Sequence, residues 1–173
     1  KSFVIKKIKI PLLGLHNIRN AAASASICKI IGISSYLIKK GLAEFKGVER
    51  RFNKLKTYRG SLIFDDYAHH PTEIKEVLKS VKKVYKKEEI ISIFQPHRIS
   101  RLKDLKIEFT KSFIDADKII LCPIYSAGET LKLGFNYSNF AKQLSSHSKA
   151  QVILINDKAE LSNYIKNNIY GKK

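Results

Sequence analysis

The residues best suited to chemistry follow a short apolar run at positions 61–64. Positions 65–73 read Asp-Asp-Tyr-Ala-His-His-Pro-Thr-Glu. Carboxylates and imidazoles build a poor core, but they suit the end of a buried strand at a binding site. Pro71 then opens a helical pattern, and proline is well tolerated at the first helical position. The stretch predicts a strand, a polar loop and a helix N-terminus, which is where α/β sheets hold ligands.

Two further apolar runs end in polar clusters. The first is followed by Gln95, Pro96, His97, Arg98, Ser100 and Arg101, and the second by Tyr125, Ser126, Gly128 and Glu129. Each cluster by itself is also consistent with an ordinary loop. Because the carboxyl ends of parallel strands meet at one edge of a sheet, the three clusters together favour a shared site.

The arginines of the second cluster suggest anion binding. Arg98 and Arg101 are three positions apart and can converge on one carboxylate or phosphate, which a guanidinium binds with two hydrogen bonds. The chain has six arginines against 27 lysines, so arginine here indicates that geometry matters. The alternative is a pair of surface arginines at a helix start. Arg50 and Arg51 raise the same question.

The remaining polar residues leave alternatives open. Asp65 and Asp66 suit a metal or a pair of ribose hydroxyls, or else a turn and a helix cap. His69, His70 and His97 lack further ligands at zinc-site spacing, so we predict no metal site. No Gly-x-Ser-x-Gly elbow and no glycine-rich phosphate loop is present in the sequence. An ATP-using enzyme would therefore need a phosphate loop outside these residues.

The elements that position these side chains alternate regularly. Strands are predicted at 61–66, 90–94, 118–122 and 151–155, and helices at 71–85, 102–114, 138–145 and 158–168. Near-continuous apolar strands that alternate with helices predict a mostly parallel sheet covered on both faces. We expect a three-layer α/β domain of about 120 residues.

The first 52 residues have a different pattern. Positions 2–10 alternate like a strand, and an alanine-rich helix is predicted from His16 to a stop at Gly32. A second helix is predicted from the N-cap Ser34 to about Leu42. Residues 45–52 have no clear period, and we interpret them as a connector at a domain boundary.

Composition limits the class of protein. The hydrophobic fraction is 44% and no apolar run reaches the roughly 18 residues of a membrane helix, so we expect a globular, cytoplasmic protein without a signal peptide or membrane partner. Cys28 and Cys122 sit in apolar segments. They are interpreted as small buried hydrophobes in a reducing compartment, in preference to a disulfide or zinc ligands.

The formal net charge is +18, which allows two interpretations. One is nucleic-acid binding. The other is a lysine-rich proteome with AT-rich codon bias. The lysines scatter over predicted helix faces and no nucleic-acid-reading motif is present, so we favour the second interpretation.

Five ordered motifs resemble the Mur ligase family. They lie at residues 14–23 (Gly-Leu-His-Asn-Ile-Arg-Asn-Ala-Ala-Ala), 45–52 (Phe-Lys-Gly-Val-Glu-Arg-Arg-Phe), 65–74, 94–101 (Phe-Gln-Pro-His-Arg-Ile-Ser-Arg) and 125–129 (Tyr-Ser-Ala-Gly-Glu). The double histidine before proline and the Gln-Pro-His-Arg run most resemble the alanine-adding members of the family.

The resemblance implies a domain organisation. Residues 1–52 resemble the tail of the central ATP-binding domain, a strand–helix–helix remnant. Residues 53–173 resemble the complete C-terminal Rossmann-like domain. The UDP-sugar domain and the Gly-Lys-Thr phosphate loop of the family are not in this sequence, so we expect a fragment that is inactive alone.

The resemblance also implies a reaction and residue roles. ATP, with Mg²⁺ held mainly by the central domain, would activate UDP-N-acetylmuramate as an acyl phosphate that L-alanine attacks, a step of peptidoglycan synthesis. The implied nucleotide-binding residues are His16, Asn17, Arg51, Asp66 and Tyr67. The implied catalytic residues, near the alanine, are His69, His97, Arg98 and Arg101. A family member that adds another amino acid or peptide, and a basic polyanion-binding module, stay as alternatives.

Overall fold

The computed structural model describes residues 4–129 and 135–171. In chain order the elements are α1 (Leu15–Ile30), α2 (Ser35–Glu44), β1 (Asn53–Tyr58), β2 (Ser61–Asp65), α3 (Pro71–Val84), β3 (Ile91–Phe94), α4 (Ile99–Asp104), α5 (Lys106–Lys111), β4 (Lys118–Leu121), α6 (Tyr137–Ser148), β5 (Gln151–Leu154) and α7 (Lys158–Asn168).

A three-stranded parallel sheet organises the second part of the chain. Its order is β3-β4-β5, with Ile91 beside Lys118 and Lys118 beside Gln151. Successive side chains of a strand face opposite sides. Ile119 and Leu121 of β4 accordingly pack into a core with α3, α5 and α6, whereas Ile120 packs with residues of α7. The predicted α/β class with a parallel sheet covered on both faces is confirmed.

The strand predicted at 61–66 does not belong to that sheet. β2 pairs antiparallel with β1, a strand that the sequence did not predict, and the two form a separate sheet. Arg59 and Gly60 connect them, with φ of 47° and 83°. Two successive positive φ values are typical of the two-residue turn whose twist suits a hairpin.

Two other predicted elements differ. Residues 4–10 form no strand, and Lys7, with φ of 57°, interrupts the extended backbone; residues 2 and 3 lie outside the described part. The helix predicted at 102–114 is two short helices, α4 and α5, that meet at Leu105. There φ is −111°, well away from helical values.

The two N-terminal helices match their predictions. The hydroxyl of Ser34 accepts a hydrogen bond from Leu37 N and begins α2. Gly32, with φ of 93°, follows the end of α1. Cys28 and Cys122 are both free thiols, the first half-buried and the second buried. None of the helices in residues 4–129 and 135–171 combines the length and apolarity needed to cross a bilayer.

Candidate active site

A cavity of about 730 Å³ lies between α1, α2, α3 and the connector at 45–52. Four of the five residues predicted to bind a nucleotide line it: His16, Asn17, Arg51 and Asp66. Tyr67, the fifth, is not among the lining residues. The structure therefore brings together side chains that are up to 50 positions apart in sequence.

The first turn of α1 presents His16 and Asn17 to this cavity. Gly14 precedes the helix with φ of 96°, and a Cβ there would lie 2.6 Å from the His16 ring, so only glycine fits. Asn17 Nδ2 donates to Leu13 O at 2.7 Å. His16 Nδ1 is buried without a hydrogen-bond partner among the described residues. This nitrogen is packed against Gly14, where a Cβ would lie 2.8 Å from it.

Asp66 is held rigidly on the opposite wall. Its Oδ2 accepts from Phe52 N at 2.8 Å and its Oδ1 accepts from Ala68 N at 2.6 Å. Burial raises the pKa of this carboxyl; the two backbone hydrogen bonds and the charge of Arg51 oppose the shift without cancelling it. Each carboxylate oxygen has a second lone pair, so Asp66 can still accept hydrogen bonds from a ligand's hydroxyls.

The connector is attached to the loop after β2. Tyr67 N donates to Arg50 O at 2.7 Å, and the Arg50 guanidinium lies 4.8 Å from the centre of the Tyr67 ring. The rings of Phe52 and Phe64 stack at 4.5 Å. Arg50 and Phe52 both have positive φ, 58° and 52°. This backbone orients Arg51, which lies between them.

A second cluster lies beside the cavity, on the sheet edge. Aromatic rings follow one another there, with centroid separations of 5.0 Å for Tyr67–His69, 6.3 Å for His69–His97 and 5.4 Å for His97–Tyr125. A parallel bridge joins His97 to Tyr125, and Arg98 N donates to Tyr125 O at 2.9 Å. All three predicted polar clusters therefore meet, although β2 is outside the parallel sheet.

The imidazoles of this cluster have defined chemistry. His69 Nδ1 lies 2.8 Å from Tyr67 O. A carbonyl oxygen only accepts, so Nδ1 carries the proton and Nε2 of the neutral ring is an acceptor. Partial burial, followed by the charges of Arg101, His69 and Arg98, lowers the pKa of His97 and favours its neutral form.

The two arginines lie at the start of α4, Arg98 just before the helix and Arg101 in its first turn. Arg98 has φ of 68° and precedes α4 without capping it through its side chain. Glu129 provides the cap: its Oε2 accepts from Ser100 N at 3.0 Å and its Oε1 from Ser100 Oγ at 2.6 Å. These hydrogen bonds lower the pKa of Glu129. Arg101 Nη1 donates to His97 O at 3.5 Å.

Sequence reasoning missed Glu73 as a site residue. It lines the cavity, and its Oε2 accepts from His69 N and His70 N at 3.0 and 3.2 Å. The N-cap His70 and Glu73 form a capping box. The usual signature has serine or threonine at the N-cap, so histidine there concealed the pattern. A glutamate three positions after a candidate N-cap was the available signal.

Metal ligands are not grouped in the described part of the chain. Residues 4–129 and 135–171 contain no group of three or more His, Cys, Asp or Glu side chains arranged to hold an ion. Asp65 instead pairs with Arg50, at 3.7 Å between Oδ2 and Nε.

Comparison with known proteins identifies the family. Residues 50–171 match the model of the Mur ligase, glutamate ligase domain. The chain belongs to the Mur ligase family. It is 60% identical over 173 residues to UDP-N-acetylmuramate–L-alanine ligase of Pelagibacter ubique (strain HTCC1062), covering 100% of this chain and 37% of that protein. It is 44% identical over 153 residues to the ligase of that name from Bartonella tribocorum (strain CIP 105476 / IBS 506), covering 88% and 32%.

A solved structure agrees with this Mur ligase assignment. The crystal structure of UDP-N-acetylmuramate–alanine ligase from Thermotoga maritima matches 95% of this chain and 34% of that one, with a TM-score of 0.75 and 28% identity. The chain spans about a third of the length of these Mur ligases. The predicted family is confirmed. The matched domain contains the aromatic and arginine cluster, whereas His16 and Asn17 precede it.

Proposed function

We propose that this chain is the C-terminal part of a UDP-N-acetylmuramate–L-alanine ligase, an ATP-dependent acid–amino-acid ligase of peptidoglycan synthesis. The observation that carries the proposal is that one segment, residues 65–73, lines both the cavity and the arginine–histidine cluster. Asp66 lies on the cavity side and His69 on the cluster side. Such a loop suits an enzyme that must bring a nucleotide and an amine together. The two ligases named above support the choice of reaction.

The cavity is the proposed nucleotide site. His16 and Asn17 border the adenine, Asp66 accepts from the ribose hydroxyls, and Arg51 reaches the phosphates. His16 and Asn17 both line the cavity, which supports this assignment. ATP supplies the phosphoryl group that activates the sugar carboxylate. We assign Mg²⁺ mainly to the central domain, and UDP-N-acetylmuramate to parts of the ligase outside these residues.

The cluster is the proposed alanine site. Arg98 and Arg101 bind the carboxylate of L-alanine, for which their guanidinium forks are suited. The amine must lose a proton before it forms the amide bond. His69, with Nε2 as acceptor, and His97, whose pKa is lowered, both favour an uncharged amine nearby. Tyr67 and Tyr125 flank these rings.

The domain boundary and the location are parts of the same proposal. Residues 1–52 are assigned to the end of the central ATP-binding domain and residues 53–173 to the C-terminal Rossmann-like domain. The connector between them carries Arg51, so the cavity lies where the two parts meet. A cytoplasmic location follows from the use of ATP and a UDP-sugar.

A chimeric enzyme tests the proposal. This chain replaces the matched segment of the Pelagibacter ubique ligase, and phosphate release is measured with ATP, UDP-N-acetylmuramate and each of several amino acids. We expect release that depends on L-alanine. The unaltered ligase is the active control. The 173-residue chain alone is the second control, and we expect it to release no phosphate.

The chimera also separates the alternatives. Release that depends on glycine, serine or another amino acid in place of alanine would indicate a different Mur ligase specificity. A folded chimera that binds ATP but releases no phosphate with any amino acid would contradict the proposal. For a polyanion-binding module, the 173-residue chain would instead bind DNA or RNA tightly, with a steep salt dependence.

A further inference from the structure

Glu73 lies between the two halves of the proposed site and contacts both. Its Oε1 is 3.6 Å from Arg51 Nη1, and its Oε2 is 3.7 Å from His69 Nδ1. We propose that Glu73 is a positioning residue that holds Arg51 for the nucleotide and His69 for the amine, and so couples the two substrates. This inference rests on the proposed function.

The two carboxylate oxygens divide the work. Oε2 accepts the backbone N–H groups of His69 and His70, which fixes the side chain at the first turn of α3. With Oε2 committed to the loop, Oε1 faces the connector and Arg51. A side chain held by backbone donors has few alternative rotamers. The carboxylate therefore holds a fixed position relative to His69, and Oε1 offers Arg51 a fixed partner.

The charge of Glu73 orients the side chain of Arg51. Glu73 is flanked by the guanidinium of Arg51 and the imidazole of His69, and Asp66 is the neighbouring acid. The Arg51 and Glu73 side chains are 52% and 35% exposed, so their ion pair contributes little to stability. Its effect is on orientation: without the carboxylate, Arg51 is free to turn toward solvent and away from the cavity.

The chain contains a matched glutamate without these contacts. Glu160 occupies the same position in α7, three residues after the N-cap Asp157. Its Oε2 accepts from Asn156 N at 2.7 Å, as Glu73 accepts from His69 N. Glu160 does not line the cavity, and within the described ranges no ion pair includes it. It performs the capping role without the positioning role.

The experiment compares Glu73→Gln with Glu160→Gln in the chimeric ligase. Glutamine keeps an oxygen for the backbone donors but presents no charge to Arg51 or His69. For Glu73→Gln we expect the KM values for ATP and for L-alanine each to rise about tenfold, with only a small fall in the melting temperature. For Glu160→Gln we expect both KM values to stay at those of the parent chimera.

The outcomes separate this inference from the proposed function. If the parent chimera is active and Glu73→Gln has the same two KM values as Glu160→Gln, Glu73 is only a cap and the inference is overturned. A change in one KM alone also overturns it, because the coupling requires both substrates. An inactive but folded parent chimera overturns the proposed function, and the inference with it. Glu73→Ala and Glu160→Ala, which remove the cap as well, should lower the melting temperature by similar amounts.

Discussion

The N-termini of α3 and α7 have similar construction and different surroundings. In each helix a side chain at the N-cap accepts a backbone hydrogen bond, and a glutamate at the third helical position accepts one in return. At the start of α3, Glu73 also lines a cavity and contacts Arg51, and a row of aromatic rings lies beside it. At the start of α7, Glu160 has only Asn156 and its own helix as partners within residues 4–129 and 135–171.

The arginine beside each helix shows the same difference. Arg51, next to α3, contacts Glu73 at a distance of 3.6 Å and lines the cavity, so it is available to a ligand. Arg59, next to α7, lies between the Tyr58 and Tyr170 rings and donates to Lys166 O at 2.6 Å. The Arg59 guanidinium is therefore used in contacts within the protein. The comparison shows that a ligand-binding role is indicated by a charged side chain whose hydrogen-bond donors are not already used within the protein. Residue type alone does not distinguish the two cases.

The largest expected effect tests these two arginines. Arg51→Ala in the chimeric ligase should lower kcat/KM for ATP by about a hundredfold, because a guanidinium that neutralises phosphate charge is removed. Arg59→Ala should leave kcat/KM unchanged and lower the free energy of unfolding by about 1–2 kcal/mol, through loss of a hydrogen bond and two aromatic contacts. Steady-state kinetics measures kcat/KM and urea unfolding measures the free energy of unfolding of both variants. Equal kinetic losses in both variants would remove the contrast.

The sequence predicted the buried strands correctly and missed the exposed strand. The strands of the parallel sheet match their predictions to within one residue, because near-continuous apolar runs mark them. The helix at 158–168 also matches its prediction. The strand β1 carries four consecutive exposed residues, so no periodicity marks it. The Arg59-Gly60 pair was the remaining signal of a hairpin. Without β1, the strand at 61–66 was wrongly assigned to the parallel sheet.

The sequence predicted which residues lie near one another in the candidate site, but not the contacts between them. The polar clusters after three apolar runs identified His69, His97 and both arginines as neighbours, since runs of this kind end at a common edge. Asp66 was given two alternatives, ligand binding or a turn and helix cap, and its two oxygens accept from Phe52 N and Ala68 N. A contact between residues 14 positions apart has no periodic signature. The roles of all nine predicted site residues stay predictions.

The next largest effect compares the aspartates that precede the two helices. Asp66→Ala leaves two half-buried backbone N–H groups without partners, so the free energy of unfolding should fall by about 2–3 kcal/mol. Asp157→Ala removes one N-cap hydrogen bond, from Glu160 N at 2.8 Å, and should cost about 1 kcal/mol. Urea unfolding of the 173-residue chain measures both. A larger loss of unfolding free energy in Asp157→Ala than in Asp66→Ala would contradict the view that the loop after β2 is more constrained than the N-terminus of α7.

The smallest expected effect is the pH dependence that Glu73 contributes. Burial raises the pKa of Glu73, but the hydrogen bonds from His69 N and His70 N, with the charges of His69 and Arg51, outweigh it and lower the pKa below its ordinary 4.5. A carboxyl with a depressed pKa in the folded state stabilises the fold above its unfolded-state pKa, and this stabilisation is lost as the pH falls through the folded-state value. The difference in unfolding free energy between the parent chain and Glu73→Gln should therefore be constant above about pH 5 and shrink below pH 4.5. Urea titrations at a series of pH values measure that difference. A difference that stayed constant down to pH 3 would mean that the carboxylate charge of Glu73 has no stabilising partner, and the contrast with α7 would then rest on the kinetics alone.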